Sequence, residues 1–272
     1  MPTLYLVATP IGNMEDITLR ALRVLREASL IAAEDTRTTG RLLQHHGVQT
    51  PLVSFHEYSG EGRIRELLDR LVLGDVALVT DAGTPGLSDP GYRLVRAALE
   101  AGVTVSPIPG PSAVVAALVS SGLPTDSFLC LGFLPRQQQG RRRALADVAR
   151  VTHTLVLFEA PHRLPELLQD VEKELGDRQL VVARELTKLH EEIWRGSVSG
   201  AEAYFEEGQV RGEITVVIAG ASEEALMWDE KQVLEAMEAQ LARGVRRKKA
   251  ANLIAQRSGW RPRDVYDLSI GK

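Results

Sequence analysis

The sequence predicts an α/β protein. It reads as two α/β domains, followed by a small helical extension at the C-terminus. Three observations carry this. Strand-like and helix-like segments alternate with short links through the first part of the chain, the pattern of a mostly parallel sheet with helices on both faces. The segment Val76 to Thr80 (VALVT) has no polar alternation, as expected of a strand covered on both sides. The loops TPIGN, DAGTPGLSDPG and PIPGPS, rich in glycine and proline, each follow a strand and should gather at one sheet edge, where open α/β sheets bind ligands.

Taken in order, Thr3 to Thr9 reads as a strand. Asp16 is suited to cap a helix running to about Ser29, with Ile17, Ala21, Val24, Leu25 and Ala28 on one face. Leu30 to Glu34 is a short strand. Thr36 to His46 is a helix that stops at Gly47. A strand at PLVSF and a helix from Arg63 to Leu73 lead to VALVT. A helix from Tyr92 to Ala101, the strand VTVSPI and a helix from Ser112 to Ser121 complete a first domain over residues 1–122.

A second domain, 123–225, has strands at Phe128 to Phe133, Thr154 to Glu159, Leu180 to Glu185, Glu192 to Ser197 and Glu213 to Ala219. Helices fall near Arg141 to Arg150, Leu164 to Leu175 and Gly200 to Glu207. The short link between the third and fourth strands suits an antiparallel pair, so this sheet should be mixed. In residues 226–272, Val233, Leu234, Met237 and Leu241 form one helical stripe, and Leu253 and Ile254 a second. Pro262 can open a third helix containing Val265 and Leu268. The extension reads either as a helix-turn-helix-like unit or as a tail packed on the second domain.

The 272 residues carry a net charge of −4, with 44% hydrophobic and 25% charged residues, ordinary for a globular protein. No apolar run approaches the length of a membrane helix, and no basic leader precedes the first strand, so a cytoplasmic protein is expected. One cysteine, Cys130, excludes an internal disulfide and a multi-cysteine metal site. His45 and His46 are consecutive and make a poor metal pair on a helix, so no metal is expected. Neither G-x-G-x-x-G nor G-x-x-x-x-G-K-[ST] is present, which argues against a dinucleotide enzyme or a P-loop ATPase.

The segments LYLVATPIGNMEDITLRAL, AEDTRTTGRLL, SFHE, LVTDAGTPGLSDPG, PIPGPSAVVAAL, CLGFLPR, LFEAPHRL, ARELTKLHEE and GEITVVIAG, in this order over nearly the whole chain, resemble the tetrapyrrole-methylase superfamily. They are closest to its branch that methylates ribose in small-subunit ribosomal RNA. Thr80 stands where that branch more often has serine. The resemblance implies two α/β domains with S-adenosylmethionine as cofactor in the cleft between them, a homodimer, and 2′-O-methylation of a decoding-centre cytidine in 16S ribosomal RNA. It implies cofactor contacts at Pro10 and Ile11, at Asp81, Ala82, Gly83 and Thr84, at Ser112 and Ala113, and at Phe158 with Glu213 to Thr215 around Ile214. A serine at a helix N-terminus suits a carboxylate.

A ribose hydroxyl is a weak nucleophile, so a proton acceptor would help. His56 and Glu57, Glu34 and Asp35, and Glu185 are the candidates, each with a plainer structural role available: a cap for Asp35, an ion pair for Glu185, a structural hydrogen bond for His56. His162 could meet RNA at the cleft or cap its loop. No carboxylate lies between Asp126 and Asp147, or between Glu238 and Asp264. Arg141, Arg142 and Arg143, and then Arg246, Arg247, Lys248 and Lys249 with Trp260 nearby, are the expected RNA contacts; solvated helix faces are the alternative. Two competing functions share these residues: the same fold acting on a tetrapyrrole, corrin or diphthine, and a non-catalytic RNA-binding module.

Overall fold

Short apolar segments form the first five strands: β1 (Thr3–Val7), β2 (Leu30–Ala33), β3 (Leu52–Ser54), β4 (Val76–Val79) and β5 (Thr104–Ile108). In the computed structural model, which describes residues 2–206, 210–222 and 227–271, they pair in parallel in the order β3-β2-β4-β1-β5. Alternate strand residues feed two cores. Val7, Ile31, Ala33, Ala77 and Val79 pack against α1 (Leu19–Glu27) and α2 (Thr36–His45). Leu4, Leu30, Ala32, Val76 and Leu78 pack against α3 (Glu61–Leu73) and α4 (Tyr92–Glu100). Helices therefore cover both faces, which is why β2 and β4 are buried along their whole length.

The start of α1 differs from expectation. Asp16 lies in a single 3₁₀ turn, Met14–Asp16, and Thr18 is the cap, its hydroxyl accepting the Ala21 N–H at 3.1 Å. Ile17 is buried in extended backbone between them, so the helix cannot begin earlier. Asp35 does cap α2, through the Arg37 N–H at 2.8 Å.

The second sheet contains β6 (Phe128–Phe133), β7 (Thr154–Glu159), β8 (Gln179–Arg184), β9 (Glu192–Ser197) and β10 (Ile214–Ile218), in the order β6-β7-β10-β8-β9. Only β6 and β7 run parallel; β8 and β9 pair antiparallel, as their short link requires. One face packs against α6 (Gln138–Asp147), α7 (Leu164–Leu175) and α8 (Val198–Glu206). The other receives α5 (Ala113–Ser121) from the first half. There Val114, Ala117 and Leu118 meet Val156, Val181, Ala183 and Val217, and Ile11 joins them. An apolar helix following the first sheet thus joins the two halves.

Beyond them, α9 (Glu230–Ala242) opens with a capping box between Asp229 and Gln232, followed by α10 (Arg247–Ser258) and α11 (Pro262–Leu268). Their stripes close on one another around Val233, Met237, Ala250, Ile254 and Val265. Trp260 packs, partly exposed, against this small core, and its indole N–H donates to the Trp228 carbonyl at 2.6 Å. Residue 207, the expected end of α8, and the boundary at 225/226 lie outside the described residues. Among the described residues no helix is long and apolar enough to cross a membrane.

Candidate active site

Strands β4, β1 and β5 are adjacent and parallel, so the three glycine- and proline-rich loops leave the same edge. The first two are tied together: Thr9 and Gly83 exchange both backbone hydrogen bonds, at 2.9 and 3.0 Å. Gly83 needs its glycine, since its φ is +80°. Gly12 is needed for a different reason. A Cβ there would meet the Thr187 hydroxyl at 2.8 Å and the Leu186 carbonyl at 2.9 Å, so the first loop can seat against the second half only without a side chain.

Between the halves lies a cavity of about 400 Å³, within the range of small-molecule sites. One wall is Ile11, Ala82, Gly83, Thr84, Ser112 and Ala113; the other is Phe158 and Ile214, with Gly212, Glu213 and Thr215 beside them. The lining is largely apolar, and Ser112 supplies the N-terminal end of α5, where an anion is favoured. Two of the expected cofactor residues lie elsewhere. Pro10 and Asp81 line a neighbouring cavity, of about 200 Å³, that shares Ile11 and Ala82 with the first.

The carboxylates divide by environment. Asp81 accepts the Asp35 N–H at 3.1 Å, and Glu34 accepts the Asp81 N–H at 3.3 Å, a reciprocal link between two loops. Burial raises the pKa of both. Asp89 lines the main cavity and has no cationic partner among the described residues. Burial first, then the charges of Glu34 and Asp81, push its pKa up to about 6. Glu159, 2% exposed at the end of β7, also lines the cavity. One of its oxygens accepts the Ala160 N–H at 2.8 Å and faces Arg163 at 3.2 Å; the other is buried with no hydrogen-bond partner. That orphaned oxygen suits a ligand carrying a donor, such as an amine or a ribose hydroxyl. Sequence reading passed over Asp89 and Glu159, though both carry a usable signal: a carboxylate at a strand end or inside a glycine-proline loop.

The expected proton acceptors are not brought into this cavity. His56 and Glu57 are exposed on the loop after β3 and do not line it. Glu185 sits at φ +52°, accepts the Glu213 N–H at 2.9 Å and pairs with Lys188 at 2.8 Å. Those contacts hold its carboxyl below the ordinary range, which makes it a weak base. It does not line the cavity, and its hydrogen bond from the Glu213 N–H ties it to the Gly212–Glu213 wall.

Two expected RNA contacts are likewise corrected. Arg141 is fully buried between α6 and α7, with Asp170 at 2.6 Å and Glu166 at 3.3 Å, so no phosphate can reach it. Arg247 turns inward to the Ser269 carbonyl and hydroxyl at the end of α11. Arg142 shares Asp170 at 2.6 Å and stays partly exposed, while Arg143, Arg246, Lys248 and Lys249 are exposed. His46 faces the Met14 carbonyl at 3.2 Å and meets the His45 ring edge-on.

Comparison with known proteins finds this two-sheet architecture as well. Residues 3–202 match the family model of the Tetrapyrrole (Corrin/Porphyrin) Methylases. The chain belongs to this family. Relatives of this methylase include the Ribosomal RNA small subunit methyltransferase I of Synechocystis sp., 48% identical, with 99% of this chain and 98% of that protein covered. The protein of that name from Halalkalibacterium halodurans is 46% identical, with 98% and 94% covered. Among solved structures, a cobalt precorrin-4 methyltransferase superposes with a TM-score of 0.61 at 19% identity over 80% of this chain and 94% of the other. The uroporphyrin-III-C-methyltransferase of Thermus thermophilus gives 0.56 at 24% identity, with the same coverage. The methylase thus has the two-domain α/β fold of its family, and it is a methyltransferase. The family match ends before α9, whereas the Synechocystis relative is matched over nearly the full length.

Proposed function

We propose that this methylase transfers a methyl group from S-adenosylmethionine to the ribose 2′-hydroxyl of a decoding-centre cytidine in 16S ribosomal RNA, acting as a cytoplasmic homodimer on the small ribosomal subunit. The observation that carries the reading is the two-sided, largely apolar cavity, in a chain similar over its full length to proteins named for small-subunit ribosomal RNA. Its residues suit the cofactor. Ile11, Ala113, Phe158 and Ile214 offer apolar surface, Gly83 allows close backbone approach, Ser112 presents a helix N-terminus to a carboxylate, and the free oxygen of Glu159 offers an acceptor. When bound, the cofactor supplies an electrophilic methyl group on a sulfonium, so the protein need not activate the donor.

What the chain adds is orientation, dryness and a proton acceptor. Asp89 takes that last role in our reading. It lines the cavity, has no cationic partner among the described residues, and is ionised at neutral pH while remaining more basic than an ordinary aspartate. Arg143, Arg246, Lys248 and Lys249 are the exposed cations for RNA phosphates. The test is methyl transfer from labelled S-adenosylmethionine to small subunits lacking the modification, followed by nucleoside mass spectrometry. A 2′-O-methylcytidine is expected. Unlabelled RNA from an enzyme that binds the cofactor would discard the substrate and retain the fold.

A further inference from the structure

Beside the main cavity, and sharing Phe133 and Ala160 with it, lies an open groove completed by Leu134, Arg136, His162 and Arg163. Its chemistry is mixed in an informative way. Phe133 is 59% exposed, unusual for a phenylalanine at the end of a strand beside a cavity. A β-bulge between Cys130 and Gly132, with Gly132 at φ +62°, shifts the register so that Phe133 falls opposite Phe158. The two rings sit 5.4 Å apart, and Phe158 lines the main cavity. Bulges next to active sites commonly re-aim a side chain in this way. Gly132 also contacts the first half. A Cβ there would meet the Ser88 hydroxyl at 2.8 Å, so the bulge is fitted against the Asp81–Gly91 loop.

Arg163 is committed to structure. It donates to the Leu134 and Pro135 carbonyls, both at 3.2 Å, and faces Glu159, which fixes the chain on either side of the groove. Arg136 and His162 are exposed at the groove and make none of the hydrogen bonds or ion pairs that hold Arg163. An accessible aromatic ring next to two exposed cationic or donor side chains is the combination that binds one nucleotide of a single strand, ring against base and cation against phosphate.

We infer that this groove is a nucleotide subsite: Phe133 stacks on a nucleobase of single-stranded RNA, and Arg136 and His162 take the adjoining phosphate, which sets the ribose at the mouth of the main cavity. The inference rests on the proposed RNA substrate and goes beyond it in naming where the strand lies. The experiment measures kcat/KM for small-subunit methylation at several salt concentrations, with cofactor affinity followed separately by calorimetry. Phe133→Ala should lower kcat/KM about 10- to 100-fold, and Phe133→Tyr should restore most of it. Arg136→Ala combined with His162→Ala should raise KM more than it lowers kcat. It should also flatten the dependence of log binding on log salt by about one, with cofactor affinity unchanged. If these variants keep wild-type kcat/KM and salt slope on subunits that the wild type methylates, the subsite is overturned and the RNA reading stands. A Phe133→Ala loss accounted for wholly by weaker cofactor binding overturns the stacking role. Subunits that the wild type neither binds nor methylates overturn both.

Discussion

Replacing Asp89 by asparagine separates stability from activity. The side chain keeps its size and loses its charge. In the folded protein the Asp89 pKa is raised from 3.8 to about 6. The folded state therefore holds the proton more tightly than the unfolded chain does. The stabilisation is fully present below about pH 4 and is lost as pH rises through 6. A difference of roughly two pH units at about 1.4 kcal/mol each sets the cost of the charge near 3 kcal/mol at neutral pH, as an upper bound. D89N removes that cost. It should be more stable than the wild type by up to about 3 kcal/mol at pH 7.5, with the gain vanishing at pH 4. Urea unfolding followed by circular dichroism at the two pH values measures this. The same variant should lose roughly 10²- to 10⁴-fold in kcat as the proton acceptor disappears. Wild-type kcat/KM should climb through pH 6 to a plateau, and D89N should lack that acid limb. Methyl transfer within a few-fold of wild type would refute the catalytic role. A stability difference that is the same at both pH values would refute the electrostatic argument.

Asp170→Asn leaves Arg141 fully buried without its partner at 2.6 Å and also frees Arg142. A loss of about 3–5 kcal/mol is expected, seen as a fall in Tm of about 10 °C; a fall under 2 °C would mean that water or Glu166 compensates. Changing Arg246, Lys248 and Lys249 together to alanine should weaken subunit binding and reduce the salt slope by up to about two, with cofactor affinity intact. Unchanged filter binding across salt concentrations would make that face a solvated one. Gly12→Ala drives a methyl group against Thr187 and the Leu186 carbonyl, and should destabilise by about 1–3 kcal/mol while weakening cofactor binding. Calorimetry showing wild-type affinity would mean that the two halves separate freely at that loop.

Local pattern was enough for much of this protein. An unbroken apolar run marked β4 as buried on both faces, and glycine-proline loops after strands marked the edge where the cavity opens, because backbone sterics and burial act within a few residues. The antiparallel β8–β9 pair followed from its short link. Residue fates set by distant partners were not legible. Arg141 and Arg143 sit two apart on one helix, and only the packing of α7 makes the first a buried ion-pair partner and leaves the second in water. Glu185 reads as either a proton acceptor or an ion-pair partner until Lys188 and the Glu213 N–H close around it. Asp89 goes unnoticed in its loop until burial in the cavity wall and then Glu34, from another loop, raise its pKa. Sequence by itself determined which segments are buried and which loops line the cavity, since those depend on local composition. The charge state and use of each polar side chain depend on solvent exclusion and on partners from elsewhere in the chain, and only the tertiary structure decided them.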